Sequence, residues 1–177
     1  SYTIVTGNVS SADTGYNALT AANVEDVSVS NVDDDAVGVT VSAISGNTTE
    51  AGGTATFSLV LDSQPTANVT IPLSSNNTAE GTLAVTNVVF TPGNWNVVQT
   101  VTVTGVDDIV VDGDISYAIV TGNVTSSDTA YDALNAGSVG DVSVVNIDDD
   151  TAGISISDVT VNEGDGTATF TVILNRG

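Results

Sequence analysis

The sequence has no cysteine, histidine, methionine or lysine, and its single base is Arg176. Each absence removes a class of chemistry. Without cysteine there are no disulfides, no thiol catalysis and no thiolate zinc sites. Without histidine or lysine most general-base and Schiff-base chemistry is gone, along with Lys–Asn crosslinks between strands. Against the one base stand 22 acids, giving a net charge of −21. Such a surface repels nucleic acid and anionic membranes and draws divalent cations. No apolar run reaches the roughly 18 residues of a membrane span, so direct membrane insertion is not expected. Ser1 is not an initiator methionine, and the expectation is a piece of a longer chain.

What is present repeats. Ser1 to Ser42 aligns without gaps on Ser116 to Ser157, 115 residues later, and Glu50 through Leu61 aligns on Glu163 through Leu174. The expected organisation is one whole repeat (38–152), preceded by the C-terminal strands of another copy (1–37) and followed by the N-terminal strands of a third (153–177). Within the repeat, apolar residues recur every second position and Val and Thr dominate, which favours strands. Strands are expected near 38–43, 54–61, 68–74, 87–91, 97–106, 115–121 and 141–147. Ala55, Phe57, Leu59 and Leu61 should face inward, as should Val69, Ile71, Leu73, Val101 and Val103. Seven short strands in about 100 to 115 residues, parted by Gly-, Pro- and Asn-rich turns, indicate an all-β, immunoglobulin-like antiparallel β-sandwich in tandem array. The segment 125–140 reads as a long loop or a short helical turn. Trp95, after the Pro92-Gly93-Asn94 turn, reads as a buried core or edge plug, with a sugar-stacking platform as the other option.

The acids are unevenly placed. Between Val37 and Val106 there are only Glu50, Asp62 and Glu80, and then Asp107, Asp108, Asp112 and Asp114 follow within eight residues. Asp148, Asp149 and Asp150 close the repeat, and Asp33, Asp34 and Asp35 close the preceding copy in the same phrase. Adjacent like charges repel, so ordered triplets favour a cation. In a sandwich, alternate strand ends meet at one pole. Glu50, the 107–114 connection and the 148–150 triplet therefore converge there. Calcium takes six to eight oxygens, whereas magnesium prefers few carboxylates and keeps its waters. The other reading is a solvated acidic loop that holds no ion.

At this point the sequence resembles the Calx-beta family, the calcium-binding sandwich of sodium–calcium exchangers and of large bacterial surface proteins. The resembling residues are Val161-Asn162-Glu163-Gly164-Asp165-Gly166-Thr167-Ala168-Thr169-Phe170, their copy from Thr49 to Phe57, the Asp107-Asp108 turn and the closing Asp148-Asp149-Asp150. The resemblance implies calcium ligation by Glu50, Glu80, Asp107, Asp108, Asp112, Asp114 and Asp148 to Asp150. In the flanking copies the matching acids are Asp33 to Asp35 and Glu163. Val111 stands where exchanger domains carry an acid, and Asp112 and Asp114 replace longer Glu residues. The function this implies is a calcium-stiffened structural repeat of an extracellular or cell-surface bacterial adhesin, matrix protein or filament, and not an enzyme. Its partners would be neighbouring repeats and other copies in a filament. The alternative is a module that binds a glycan or a protein through its exposed loops. A glycosidase using paired carboxylates is disfavoured, because its active site would recur every 115 residues. A calcium-sensing role follows from the resemblance alone.

Overall fold

The computed structural model describes residues 1–164 and 166–176. The chain divides into two units, Ser1–Asp35 and Ala36–Gly177. In the first, strand β1 (Tyr2–Ile4) pairs antiparallel with β2 (Val27–Val29), and a helical turn, α1 (Thr14–Asn17), and a 3-10 turn (Ala21–Asn23) lie between them. Asp13 starts that turn: its carboxylate accepts the Gly15 N–H at 2.8 Å, a donor with no helical carbonyl in reach. Asp26 ties the ends of the excursion together by accepting the Thr6 N–H at 2.8 Å. No residue of this unit is buried within it.

The second unit runs through β3 (Val39–Val41), β4 (Thr48–Thr49), β5 (Thr54–Leu61), β6 (Val69–Ser75), β7 (Gly81–Leu83), β8 (Asn87–Phe90) and β9 (Gln99–Gly105). It continues with β10 (Ile115–Thr121), β11 (Thr125–Ser126), α2 (Thr129–Asp132), β12 (Val142–Ile147), β13 (Ala152–Ile156) and β14 (Val172–Arg176). One sheet has the order β3-β5-β9-β7, and the other β11-β6-β10-β12-β4, with β8 also on β6. Among the described strands all pairs are antiparallel except β12 with β4. Phe57, Leu59, Leu61, Val101 and Val103 project from the first sheet into the same core as Val69, Ile71, Leu73, Val88, Phe90, Ile119 and Val144 from the second. Burying each of these side chains contributes about 1.5–3 kcal/mol relative to exposure. The architecture is a two-layer, all-β sandwich.

The alternating stretch 54–61 forms a strand over those same residues, as does 115–121. The inward row Ala55, Phe57, Leu59 and Leu61 is buried throughout. Trp95 differs from expectation. It is only partly buried, packed on the margin of the core, and its carbonyl accepts the Leu61 N–H at 3.2 Å. The cause is the turn that carries it. Asn94 Oδ1 accepts the Thr91 N–H at 2.6 Å and holds this segment tight at the rim, between the sheets.

Register places the poles. Thr54 faces Thr104, Gly81 faces Gly105, Ile115 faces Asn146 and Thr49 faces Ile147. Glu50, Glu80, the 106–114 connection and the 148–150 segment thus all leave the sheets at one end. Val39 faces Leu61 at the other end, so the repeat enters at one pole and exits at the opposite one. Close approach at the acidic pole needs Gly105, where a Cβ would collide with the Thr49 carbonyl and with Asn146 Oδ1. Beyond the exit, β13 and β14 form a hairpin whose described side chains are all exposed. Among the described residues no helix is long and apolar enough to cross a membrane.

Candidate metal centre

The acids at the pole fall into two groups. Glu50, Asp148 and Asp150 each bring one carboxylate oxygen within 4.8 Å of the others, and Glu80, Asp108 and Asp112 do the same. Glu50 and Glu80 are buried at the floor, Asp108, Asp148 and Asp150 are half-buried, and Asp112 is exposed at the mouth.

Backbone geometry sets the upper group. The N–H of Glu50 bonds the Ile147 carbonyl at 3.0 Å, which extends the β4–β12 pairing and aims the glutamate at the triplet. Asp148 accepts the Asp150 N–H at 2.8 Å and the Gly113 N–H at 2.7 Å. Gly113 has φ of 78°, a left-handed conformation that glycine adopts freely, and this turn brings the 107–114 loop against β12's exit. Asp108 closes the same loop from inside, accepting the Val110 N–H at 2.6 Å. Asn146 floors the lower group. Its Nδ2 donates to Glu80 Oε2 at 3.3 Å and to the Val106 carbonyl at 3.0 Å, and its Oδ1 accepts the Thr48 hydroxyl at 2.9 Å. The alternation Val142, Val144, Asn146 puts a polar residue on an inward face, a signal that sequence reasoning passed over.

The electrostatics of the upper group are those of crowded, buried acids. Burial, then the neighbouring Asp148 carboxylate, push the Glu50 carboxyl up to about 7, while the Asp149 N–H beside it pulls the other way. Burial, and then Asp148, also raise Asp150. Asp148 is lowered, first by the Asp150 N–H and then by the Gly113 N–H. Glu50 Oε2 and Asp150 Oδ2 are buried with no hydrogen-bond partner. Buried carboxylate oxygens normally find a donor, and two without one in the same group are positioned where a cation would be stabilised. The donor set is all oxygen, which suits a hard ion such as calcium.

Other expected ligands lie outside the two groups. Asp107, Asp114 and Asp149 are exposed. Asp114 still touches the upper group by accepting the Asp148 N–H at 3.3 Å. Asp33, Asp34 and Asp35 are exposed in the first unit, where Asp33 accepts the Asp35 N–H at 3.2 Å in the same short turn that Asp148 makes with Asp150. Glu163 is exposed after β13. Asp165 lies outside the described residues.

No family model matches the chain, and no curated protein matches it. Among solved structures it is similar to SSP-19, an MSP-domain-like protein of Caenorhabditis elegans, at 17% identity and a TM-score of 0.37 over 60% of this chain and 97% of that one. It is also similar to WR4, an MSP family member of C. elegans, at 16% identity and a TM-score of 0.38 over 58% and 90%. Neither likeness is close enough to transfer fold detail or function.

Proposed function

We propose that the chain is part of a tandem array of calcium-stiffened structural repeats, Calx-beta-like and immunoglobulin-like in kind, from an extracellular adhesin, matrix protein or filament. In this reading residues 38–152 are one complete repeat, 1–37 end a preceding copy and 153–177 begin the next. The observation that carries it is the pair of buried, unpartnered carboxylate oxygens on Glu50 and Asp150. Glu50, Asp148 and Asp150 would hold one calcium ion, and Glu80, Asp108 and Asp112 a second. Bound calcium supplies the positive charge that the chain lacks. The residues' own task is to bring strand exits, loop and triplet into contact. Only Thr151 and Ala152 separate Asp150 from the next repeat, so within roughly 10 Å the chain passes from one repeat to another and a bound ion there restricts bending. The work of the protein in this reading is mechanical and not enzymatic, and its natural neighbours are further repeats.

Thermal unfolding in calcium and in chelator tests the reading. Extracellular calcium modules bind with Kd of about 10⁻⁴–10⁻³ M, and free ion at about 100 times Kd adds roughly 2.7 kcal/mol. Glu50→Gln combined with Asp108→Asn should erase that increment. A melting curve that is the same with and without calcium in the native sequence rejects the proposal.

A further inference from the structure

A column of polar side chains crosses the apolar interior and ends beneath the acidic pole. Its members, Tyr117, Thr48, Asn146 and Glu80, are all buried, and they come from β10, β4, β12 and the turn before β7. Tyr117 leads the inward row of β10, ahead of Ile119, so its hydroxyl enters the interior and needs a partner there.

Each bond in the column has a fixed direction. A carboxylate and a carbonyl only accept hydrogen bonds. The Asn146 edge that meets Glu80 Oε2 at 3.3 Å and the Val106 carbonyl at 3.0 Å is therefore the donating Nδ2. The opposite edge is then Oδ1, which needs a donor of its own. Thr48 supplies one at 2.9 Å, a shorter approach than its 3.2 Å to the Val145 carbonyl. With its one proton placed on Asn146, the Thr48 oxygen accepts from the Tyr117 hydroxyl at 3.1 Å. Two glycines keep the space this column occupies. A Cβ on Gly81 would collide with the Tyr117 ring and hydroxyl, and one on Gly105 with Asn146 Oδ1. The two face each other across β7 and β9, so they form a single notch.

The segments that carry the acids meet at Asn146. It stands two residues before Asp148, and its partner Thr48 stands two before Glu50. Val106 opens the loop that bears Asp108 and Asp112, and Glu80 is bonded directly. One buried amide thus ties together every segment that brings a carboxylate into either group. We propose that Tyr117, Thr48 and Asn146 are positioning residues for the cations of the pole. The column orients the Asn146 amide, and the amide holds Glu80 and the root of the 107–114 loop. A neutral donor orders Glu80 without cancelling its charge, as a lysine or arginine there would. The role toward cations rests on the calcium reading, whereas the direction of the column does not.

Calcium titration of the 177-residue chain by isothermal calorimetry tests this role, with Thr48→Val and Thr48→Ser as the decisive pair. Among the described residues Thr48 makes no hydrogen bond to a carboxylate, and valine has its shape without its hydroxyl. Thr48→Val should weaken calcium binding about 10- to 100-fold, the usual effect of losing a group that orients a metal ligand. Thr48→Ser should bind as wild type does. Tyr117→Phe removes only the first donor, so it should weaken binding less but in the same direction, and it decides the matter if Thr48→Val does not fold. Val69→Ala, a core truncation toward the other pole, should lower the melting temperature and leave calcium affinity unchanged, which separates positioning from lost stability. In chelator, the Asn146 side-chain amide protons should exchange faster with solvent in Thr48→Val than in wild type or Thr48→Ser, read by NMR. Wild-type calcium affinity in both Thr48→Val and Tyr117→Phe overturns the proposal. So does a Thr48→Ser protein that binds as weakly as Thr48→Val. If wild type itself takes up no calcium, the calcium reading falls and the role toward cations with it, while amide exchange in chelator still shows whether Thr48 directs Asn146.

Discussion

Replacing Glu50 with Gln should stabilise the metal-free protein and destabilise the calcium-loaded one, a reversal that no purely structural role would produce. Glu50 lies on the floor of the pole with one oxygen unpartnered, and its carboxyl is raised from 4.5 to about 7 by burial and then by Asp148. A folded-state value above the unfolded one means that the folded protein binds the proton more tightly. Its stabilising share is complete below about pH 4.5 and is lost as pH rises through 7. Metal-free wild type should therefore lose melting temperature between pH 5 and about pH 8, with Asp150 adding in the same direction. Asp148, held below its ordinary value, acts oppositely and only in more acid solution, below about pH 4. General repulsion among 22 acids has the same sign as Glu50, so the informative quantity is the difference between wild type and Glu50→Gln at each pH. Glutamine is never charged, and the variant should melt higher than wild type at pH 8 without metal, with the gap closing by pH 5. In saturating calcium the order should invert, because wild type gains roughly 2.7 kcal/mol at about 100 times Kd and the variant gains much less. That gain corresponds to about 5–11 °C in a chain of this size. Differential scanning fluorimetry across the pH series reads both halves. A variant that melts below wild type at pH 8 in chelator would refute the account of Glu50 as an uncompensated buried acid.

Phe57→Ala should cost about 3–5 kcal/mol through a cavity between the sheets, measured by urea unfolding; a loss under about 1 kcal/mol would mean the inner face is wrongly assigned. Gly105→Ala should cost about 1–3 kcal/mol by forcing β9 away from Thr49 and Asn146, and should weaken calcium binding by spreading the pole. Asn146→Ala should cost about 1–3 kcal/mol, since it removes the donor to the buried Glu80 carboxylate and to the Val106 carbonyl. Scattering from three consecutive repeats should show a rod in calcium and a more flexible ensemble in chelator; equal maximum dimensions would refute stiffening.

The strands that sequence foretold best are those with long alternation. Thr54 to Leu61 holds an apolar residue at every second place for eight residues, and only one face of a strand satisfies that pattern. Thr48–Thr49, Gly81–Leu83 and Thr125–Ser126 are strands of two or three residues, too short to show any period, and their pairing is imposed by neighbours. The acidic pole was legible because strand order alone brings alternate ends together. Its division into two groups was not, since that depends on the offset between β4, β9 and β12. Asp107 and Asp149 show the limit: each is adjacent in sequence to a clustered acid yet exposed.

In a tandem array of the proposed kind, the parallel pairing of β4 with β12 would also decide how a repeat bears tension. The chain enters the sandwich beside Val39 at one pole and leaves after Ile147 at the other, so a pull along an array acts on those two points in opposite directions. β12 is drawn toward the acidic pole, while β4, tethered through β3, is drawn away from it. Two strands that run the same way and are pulled apart lengthwise are loaded in shear. Their hydrogen bonds, together with the Glu50 N–H to Ile147 and the Thr48 hydroxyl to Asn146, must then yield at once and not one after another. The small ladder of Thr48 and Thr49, the least conspicuous element of the fold, is the clasp through which force would pass.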